Sequence, residues 1–363
     1  MTIYRDPSAY TSHPCVRRLA DGELLVAFNE SLPREPWLHP PSDPRYVNLI
    51  ARSQDDGATW RAPQVAPDYS VTGVECPSVV QISTGEVLLV QWQFRWHPLG
   101  RGRRLWEQQG EAARVRLMSS IDRHLWVRPK SERDWEEALV PWARSDAGLF
   151  VSISGDAGAT WDDRVQVDTS PFHRGYSPRP PAQMGDGTLV LAMGSHDIRG
   201  AVYVLRSTDA GRTWSAPLLL GEDPLLSEPA ILALDTGKLI VVARHEAGPL
   251  WQFDSGDGGH SWSTPRTLPM WGYPPDLIQL RDGLLLVIYG IRRPPYGIRA
   301  CLSEDGGDTW DYEHELIIRD DMKNDNLGYP TVAQLGDGSL FAAYYGEDEA
   351  GVTYVQGSRF RLQ

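Results

Sequence analysis

"SEDGGDTW" (Ser303–Trp310) has the composition of a tight turn: two adjacent glycines, three acids and a closing tryptophan. The same shape recurs as "SQDDGATW" (53–60), "SGDAGATW" (154–161), "STDAGRTW" (207–214) and "SGDGGHSW" (255–262). Its chemistry is local. The aspartate at the third position accepts hydrogen bonds from turn N–H groups, and the glycine at the fifth takes φ > 0 without steric cost. The Thr or Ser hydroxyl pairs inside the hairpin, and the tryptophan packs between sheets. None of these roles needs a substrate, so the five turns are read as structural.

A second repeat runs beside the first. "HPCVRRLADGELLVAF", "CPSVVQISTGEVLLVQW", "PRPPAQMGDGTLVLAM", "EPAILALDTGKLIVVAR", "PPDLIQLRDGLLLVIY" and "YPTVAQLGDGSLFAAYY" share one pattern. Each has a Pro, a short apolar stretch, an Asp-Gly or Thr-Gly turn, and a run of Leu, Val and Ile. That reads as strand, tight hairpin, buried strand. The six glycines are Gly22, Gly85, Gly187, Gly237, Gly283 and Gly338. The spacing to the boxed turn leaves room for two more short strands per unit. Six four-stranded units predict an all-β, six-bladed β-propeller spanning residues 1–363 as a single domain. The last unit lacks a boxed turn, so the N-terminal strand around Ile3 is expected to complete it and close the ring.

One unit is irregular. Between about residues 93 and 148, unit two carries five tryptophans and ten arginines, with a helix-like piece near "RLWEQQGEAARVRLM". That much tryptophan argues for a packed segment, either a lid or rim or an oligomer contact.

Bulk properties exclude several functions. The net charge of −13 argues against a nucleic-acid surface. No apolar run approaches a membrane span, and no secretory leader is visible, so a cytoplasmic protein or a trimmed mature form is expected. The three cysteines, Cys15, Cys76 and Cys301, imply no disulfide framework. No His/Cys cluster has metal-ligand spacing, no glycine loop is built to cradle phosphate, and no cofactor is expected.

The boxed turn resembles the Asp-box of the sialidase (neuraminidase) superfamily, and five of them across six units cover most of the chain. The resemblance implies a six-bladed catalytic propeller and an exo-acting glycosidase. In that family a neutral tyrosine activated by a glutamate replaces the usual carboxylate nucleophile, because the substrate's own carboxylate would repel an anion. An arginine cluster clamps that carboxylate, and an aspartate is general acid/base.

Carried onto this chain, the resemblance makes Tyr329 ("GYPTVA") the nucleophile and Glu228 ("SEPAIL") its base. Both stand immediately before the Pro of an inner strand. Asp43, in the loop before the first box, takes the acid/base role. Arg244, closing "LIVVAR", matches one clamp arginine. Arg299 in "YGIRACLSEDGGDTW" matches another, with Arg292 and Arg293 as rivals. The opening motif of aromatic, Arg, Ile, Pro has a partial match at Tyr4–Pro7, "YRDP", which nominates Arg5. Unit alignment instead puts "SHP" (Ser12–Pro14) in that register, so either Arg5 reaches the centre or that clamp arginine is missing. Glu75 and Asp276 are further central carboxylates for substrate binding, or for a two-carboxylate mechanism with Glu228. His13 stands at an inner-strand start and could line the pocket. The expected partner is a glycan carrying sialic acid or a related acidic sugar. A uronic acid, rhamnose or arabinose, or glycan binding without catalysis, are the alternatives.

Overall fold

All six hairpin glycines take φ between 83° and 96°, the conformation that the Asp-Gly and Thr-Gly turns demand. They do so in a computed structural model that describes residues 1–33, 43–67, 72–118, 126–172, 175–176, 179–195 and 200–362; the side chains at 72–75 and 175–176 also lie outside that description. Each hairpin joins the inner strand of an antiparallel sheet to its second strand. In blade four the four strands are Leu226–Ala233, Leu239–His245, Pro249–Ser255 and Arg266–Trp271. Six such sheets follow along the chain. The last is Gly328–Gln334, Leu340–Glu347 and Thr353–Phe360, and Thr2–Tyr4 adds its outer strand, so the N-terminal strand closes the ring as predicted.

The continuous apolar second strands exist because both of their faces are covered. Alternate side chains point to opposite sides of a strand. Leu239, Val241 and Ala243 therefore pack on Val190, Ala192 and Val202 of blade three. Ile240 and Val242 pack on Leu285, Val287 and Tyr289 of blade five. Six clusters of this kind fill the interfaces between neighbouring blades.

The boxed turns follow the local chemistry. In the first, Ser53 donates to Asp55, Gly57 N–H donates to Ser53 Oγ at 2.9 Å, and Thr59 donates through both its N–H and its hydroxyl to Asp55. Those Thr59 bonds, with Ser53, hold the Asp55 carboxyl down to about 2. Each turn also lies against the preceding blade. A Cβ at Gly57 would stand 2.3 Å from Phe341 of blade six, so only glycine, already in the left-handed region, lets blade one seat there.

A further repeat latches the ring on this same face. Gln81, Gln183 and Gln334 each accept an N–H from the previous blade's hairpin (Ala20, Ser83, Arg281) and donate to the carbonyl of their own hairpin glycine. Gln279 likewise accepts from Asp235 N–H. In blade four the matching residue is Ala233, so the latch is missing there. Ala233→Gln should supply it against Gly185 and raise stability by about 0.5–1 kcal/mol. Thermal unfolding would show this, and an unchanged or lowered midpoint would refute it.

Unit two departs most from the others. Its second and third strands, Val87–Pro98 and Trp142–Ser154, run several residues past the rest of the ring. Between them stand a helix over Leu99–Gln109, a short strand Val115–Met118 and a helical turn Glu132–Glu136. The helix thus begins earlier than "RLWEQQGEAARVRLM" suggested and stops at Gly110, because Val115–Met118 pairs with the strand through Arg144. Trp135, Val115 and Leu117 form its own small core.

Candidate active site

Inner strands start, and second strands end, on one face of the ring; hairpins and boxed turns occupy the other. On the first face the repeat sets two registers. The first lies nine residues before the hairpin glycine and immediately before a proline: His13, Cys76, Glu228 and Tyr329. All four are non-glycine residues in the left-handed region, with φ of 43–54°, and each sits at a β-bulge in its strand. A bulge re-aims a side chain, and clustered backbone strain of this kind marks sites where the fold over-determines an unusual geometry. The second register lies seven residues after the glycine: Asn29, Trp92, Gly194, Arg244, Gly290 and Tyr345. Gly194 lets the Glu228 backbone approach closely, since a Cβ there would stand 3.3 Å from Glu228 N.

Glu228 and Tyr329 meet at the centre of the ring. The Tyr329 hydroxyl donates to Glu228 Oε1 although 101 residues separate them. Glu228 is 1% exposed and Tyr329 6%. The other Glu228 oxygen accepts from Arg244 Nη1 at 2.6 Å. Arg244 also bonds Glu246 and stacks 4.0 Å from the Tyr273 ring centroid. Burial pushes the Glu228 pKa up, but the Arg244 charge and the bonds from Tyr329 and Arg244 outweigh it and hold the carboxyl below its ordinary range. Glu228 is therefore ionised and able to accept the tyrosine proton.

That depressed pKa fixes the sign of a pH effect. The stability that Glu228 contributes is complete above its unfolded value of 4.5 and is lost as pH falls through the lower folded value. Glu228→Gln should be less stable than the parent by about 2 kcal/mol near neutrality. The difference should narrow as pH drops below 4.5; urea titrations of both proteins that keep a constant gap across pH would refute the assignment.

Arg292 supplies the second central guanidinium. It follows the second strand of blade five, donates to Leu327 O at 2.8 Å and to the Tyr345 hydroxyl at 3.0 Å, and lies 5.8 Å from the Tyr329 ring centroid. Among the described residues it has no carboxylate partner, unlike Arg244. His13 packs edge-on against Tyr329, with centroids 4.0 Å apart. Burial, and then the charges of Arg292, Arg179 and Arg244, drive its pKa well below the ordinary value, so the imidazole is neutral.

A buried ion cluster floors the site. Arg179, from blade three, is 1% exposed and reaches across the ring to Pro275 O (2.8 Å) and Pro330 O (2.9 Å). Asp276 receives Arg17 through two bonds at 3.0 and 3.1 Å, lies 3.4 Å from Arg179 Nε, and accepts Val332 N–H. Blades one, three, five and six are joined here. Asp276 thus serves as a structural counter-ion, not as an open partner for Glu228.

Other sequence candidates lie elsewhere. Arg5 forms a half-exposed ion pair with Asp348 in a loop of blade six, because the outer strand Thr2–Tyr4 carries it away from the centre. Arg299 sits on the third strand of blade five, where it bonds Arg319 O and faces Glu315 at 3.7 Å. Its place in the cluster is taken by its rival Arg292, while Arg293 lies over Trp271. The Glu75 side chain lies outside the described residues, and Cys76 is the blade-two residue in the register of Glu228. Asp43 is fully buried and opens the turn that leads into the third strand of blade one, on the site's face. Arg179 and Asn29 went unnoticed in the sequence, though lining up "SPRPP" with "SEP" and "GYP", and counting seven from Gly22, points to them. Among the described residues no group of three His, Cys, Asp or Glu side chains is placed to hold a metal ion.

Comparison with known proteins bears on the repeat and the fold. The family model of the BNR repeat-like domain matches residues 5–224 and 124–342. A sialidase of Paraclostridium sordellii is 24% identical over 257 residues, covering 65% of this chain and 53% of its own, so the chain spans about half the length of that relative. A Dyadobacter fermentans protein of unknown function superposes with a TM-score of 0.81 at 20% identity, over 100% of this chain and 98% of its own. The intramolecular trans-sialidase of Ruminococcus gnavus, in complex with oseltamivir carboxylate, does so with 0.68 at 15% identity, over 100% and 96%. These two likenesses are of fold. Taken with the six-bladed ring and its boxed turns, the match over most of the chain shows that it belongs to the BNR repeat-like family, as a propeller of the sialidase superfamily.

Proposed function

We propose that the chain is an exo-acting glycoside hydrolase of sialidase type, acting on a terminal acidic sugar. The observation that carries this is the buried Tyr329–Glu228 hydrogen bond, with Arg244 holding the carboxyl ionised. In the first step the Tyr329 oxygen bonds to the anomeric carbon and its proton passes to Glu228. Asp43 gives a proton to the departing glycosidic oxygen as that bond breaks. In the second step Asp43 takes a proton from water, the water oxygen replaces tyrosine on the sugar, and Glu228 returns the phenol proton. Both substitutions occur at one carbon, so configuration is retained. Arg292, which has no carboxylate partner among the described residues, is the cation best able to receive the substrate carboxylate, with Arg244 beside it.

Blade one favours a second reading within the same chemistry. It offers Ser12 and neutral His13 where the resemblance implied an arginine, and Arg244 already bonds two carboxylates. A two-arginine site suits a smaller acidic sugar such as a uronic acid. Purified protein assayed on chromogenic α-sialosides, uronides, rhamnosides and arabinosides separates the readings. Turnover of an acidic sugar supports the proposal. Turnover of neutral sugars alone, or glycan binding without turnover, overturns it.

A further inference from the structure

We propose that Tyr46 is the positioning residue for Asp43, and that the Asn29 carboxamide couples this acid-bearing turn to the packing of Tyr329. The inference rests on the acid/base reading of Asp43 given above. Asp43 has little freedom of its own: its Oδ1 accepts Arg45 N–H at 2.7 Å, and its carbonyl accepts Tyr46 N–H at 2.9 Å. Where Tyr46 sits, the Asp43 carboxylate follows. Tyr46 is 1% exposed, and its ring stacks on Phe94 of blade two, with centroids 6.4 Å apart and planes 26° apart. Its hydroxyl oxygen accepts from Asn29 Nδ2 at 2.7 Å.

Asn29 is the node. Its amide carries two hydrogens: one goes to Tyr46, and the other fits His13 Nδ1 at 2.9 Å, the ring that packs edge-on against Tyr329. Its Oδ1 accepts from Asn48 at 2.6 Å, and Asn48 Oδ1 accepts from Gln91 at 2.9 Å. Every donor in this buried row points the same way, from Gln91 through Asn48 and Asn29 to His13 and Tyr46. Buried amides satisfied at all positions hold one geometry, and removing one acceptor strands a donor away from water. The row works only while His13 Nδ1 is an acceptor, which a neutral imidazole can be.

Tyr46→Phe tests this, since it keeps the ring stacked on Phe94 and deletes the hydroxyl that accepts from Asn29. Kinetics are compared on two glycosides of the sugar the parent protein cleaves, one with a nitrophenol leaving group and one with an alkyl alcohol. A good leaving group departs without a proton, so loss of acid catalysis shows on the alkyl glycoside alone. With rates compared as kcat/KM, which reports the first step and not the shared hydrolysis of the second, Tyr46→Phe should be about tenfold slower on the alkyl glycoside and within about twofold of the parent on the nitrophenyl glycoside. Asp43→Ala, run in parallel, should give the same selectivity more strongly. Equal slowing of both substrates by Tyr46→Phe, beside a selective Asp43→Ala, overturns the positioning role alone. Equal slowing by Asp43→Ala overturns the acid assignment instead. Amide exchange gives a readout free of substrate: in Tyr46→Phe the Arg45 and Tyr46 amides should exchange about tenfold faster, with the boxed-turn amides unchanged. Unchanged exchange at 45 and 46 overturns the link, whatever Asp43 does.

Discussion

Tyr329→Phe should leave a folded propeller with at least about a thousandfold lower kcat, equivalent to roughly 4 kcal/mol of transition-state stabilisation. The substitution removes one oxygen. Glu228 keeps its bond to Arg244, the ring keeps its contacts with His13 and Tyr345, and neither the bulge nor the blade interface is touched. KM should change little, because the guanidiniums that would receive the substrate remain. The measurement is steady-state kinetics on the best substrate found, beside thermal unfolding to show that the fold is intact. Turnover within about tenfold of the parent would rule out a tyrosine nucleophile. The reaction would then have to run through a carboxylate, and Glu228→Gln rather than Tyr329→Phe would be the variant that loses activity.

Asp276→Ala should be the most destabilising single substitution in the centre of the ring. It leaves the Arg17 and Arg179 guanidiniums facing one another in a buried space, and it strands the Val332 N–H. Breaking a buried ion pair by removing one partner costs about 3–5 kcal/mol, since the remaining charge stays desolvated. Denaturant unfolding of parent and variant measures the difference. A loss under about 1 kcal/mol, combined with lost activity, would return Asp276 to the substrate-contacting role that the sequence suggested.

The fold was legible in the sequence because its determinants are local and repeated. A hairpin glycine with its apolar run, and a boxed turn with its own hydrogen bonds, say the same thing at every copy. Glu228, Tyr329 and Arg244 were legible for the same reason: each has a fixed distance from a hairpin glycine. Arg299 and Arg292 show where that ruler fails. Arg244 comes seven residues after its glycine, whereas Arg292 comes nine after Gly283 and leaves the strand before turning inward. Strand alternation then sends Arg299 into the body of its own blade. Arg179, and the counter-ion role of Asp276, were hidden for a different cause. Both depend on partners from blades three, five and six meeting blade one across the ring, and no spacing within one repeat records that closure. The glutamine latches were visible in "VQIS", "AQMG", "IQLR" and "AQLG", but their meaning lies between blades.

The Arg179 bridge has one more consequence. A propeller is a ring, and an open ring could be threaded by a polymer. Here the arginine spans the bore and is locked on Pro275, Pro330 and Asp276. On the hairpin face lies a cavity of about 420 Å³ lined by Pro180, Ile231, Leu277 and Val332. With the bore bridged in this way, a substrate of the proposed reaction would reach Tyr329 from the face on which Glu228 and Arg244 lie and would leave by the same side. Such a well would take the tip of a glycan chain and not its middle.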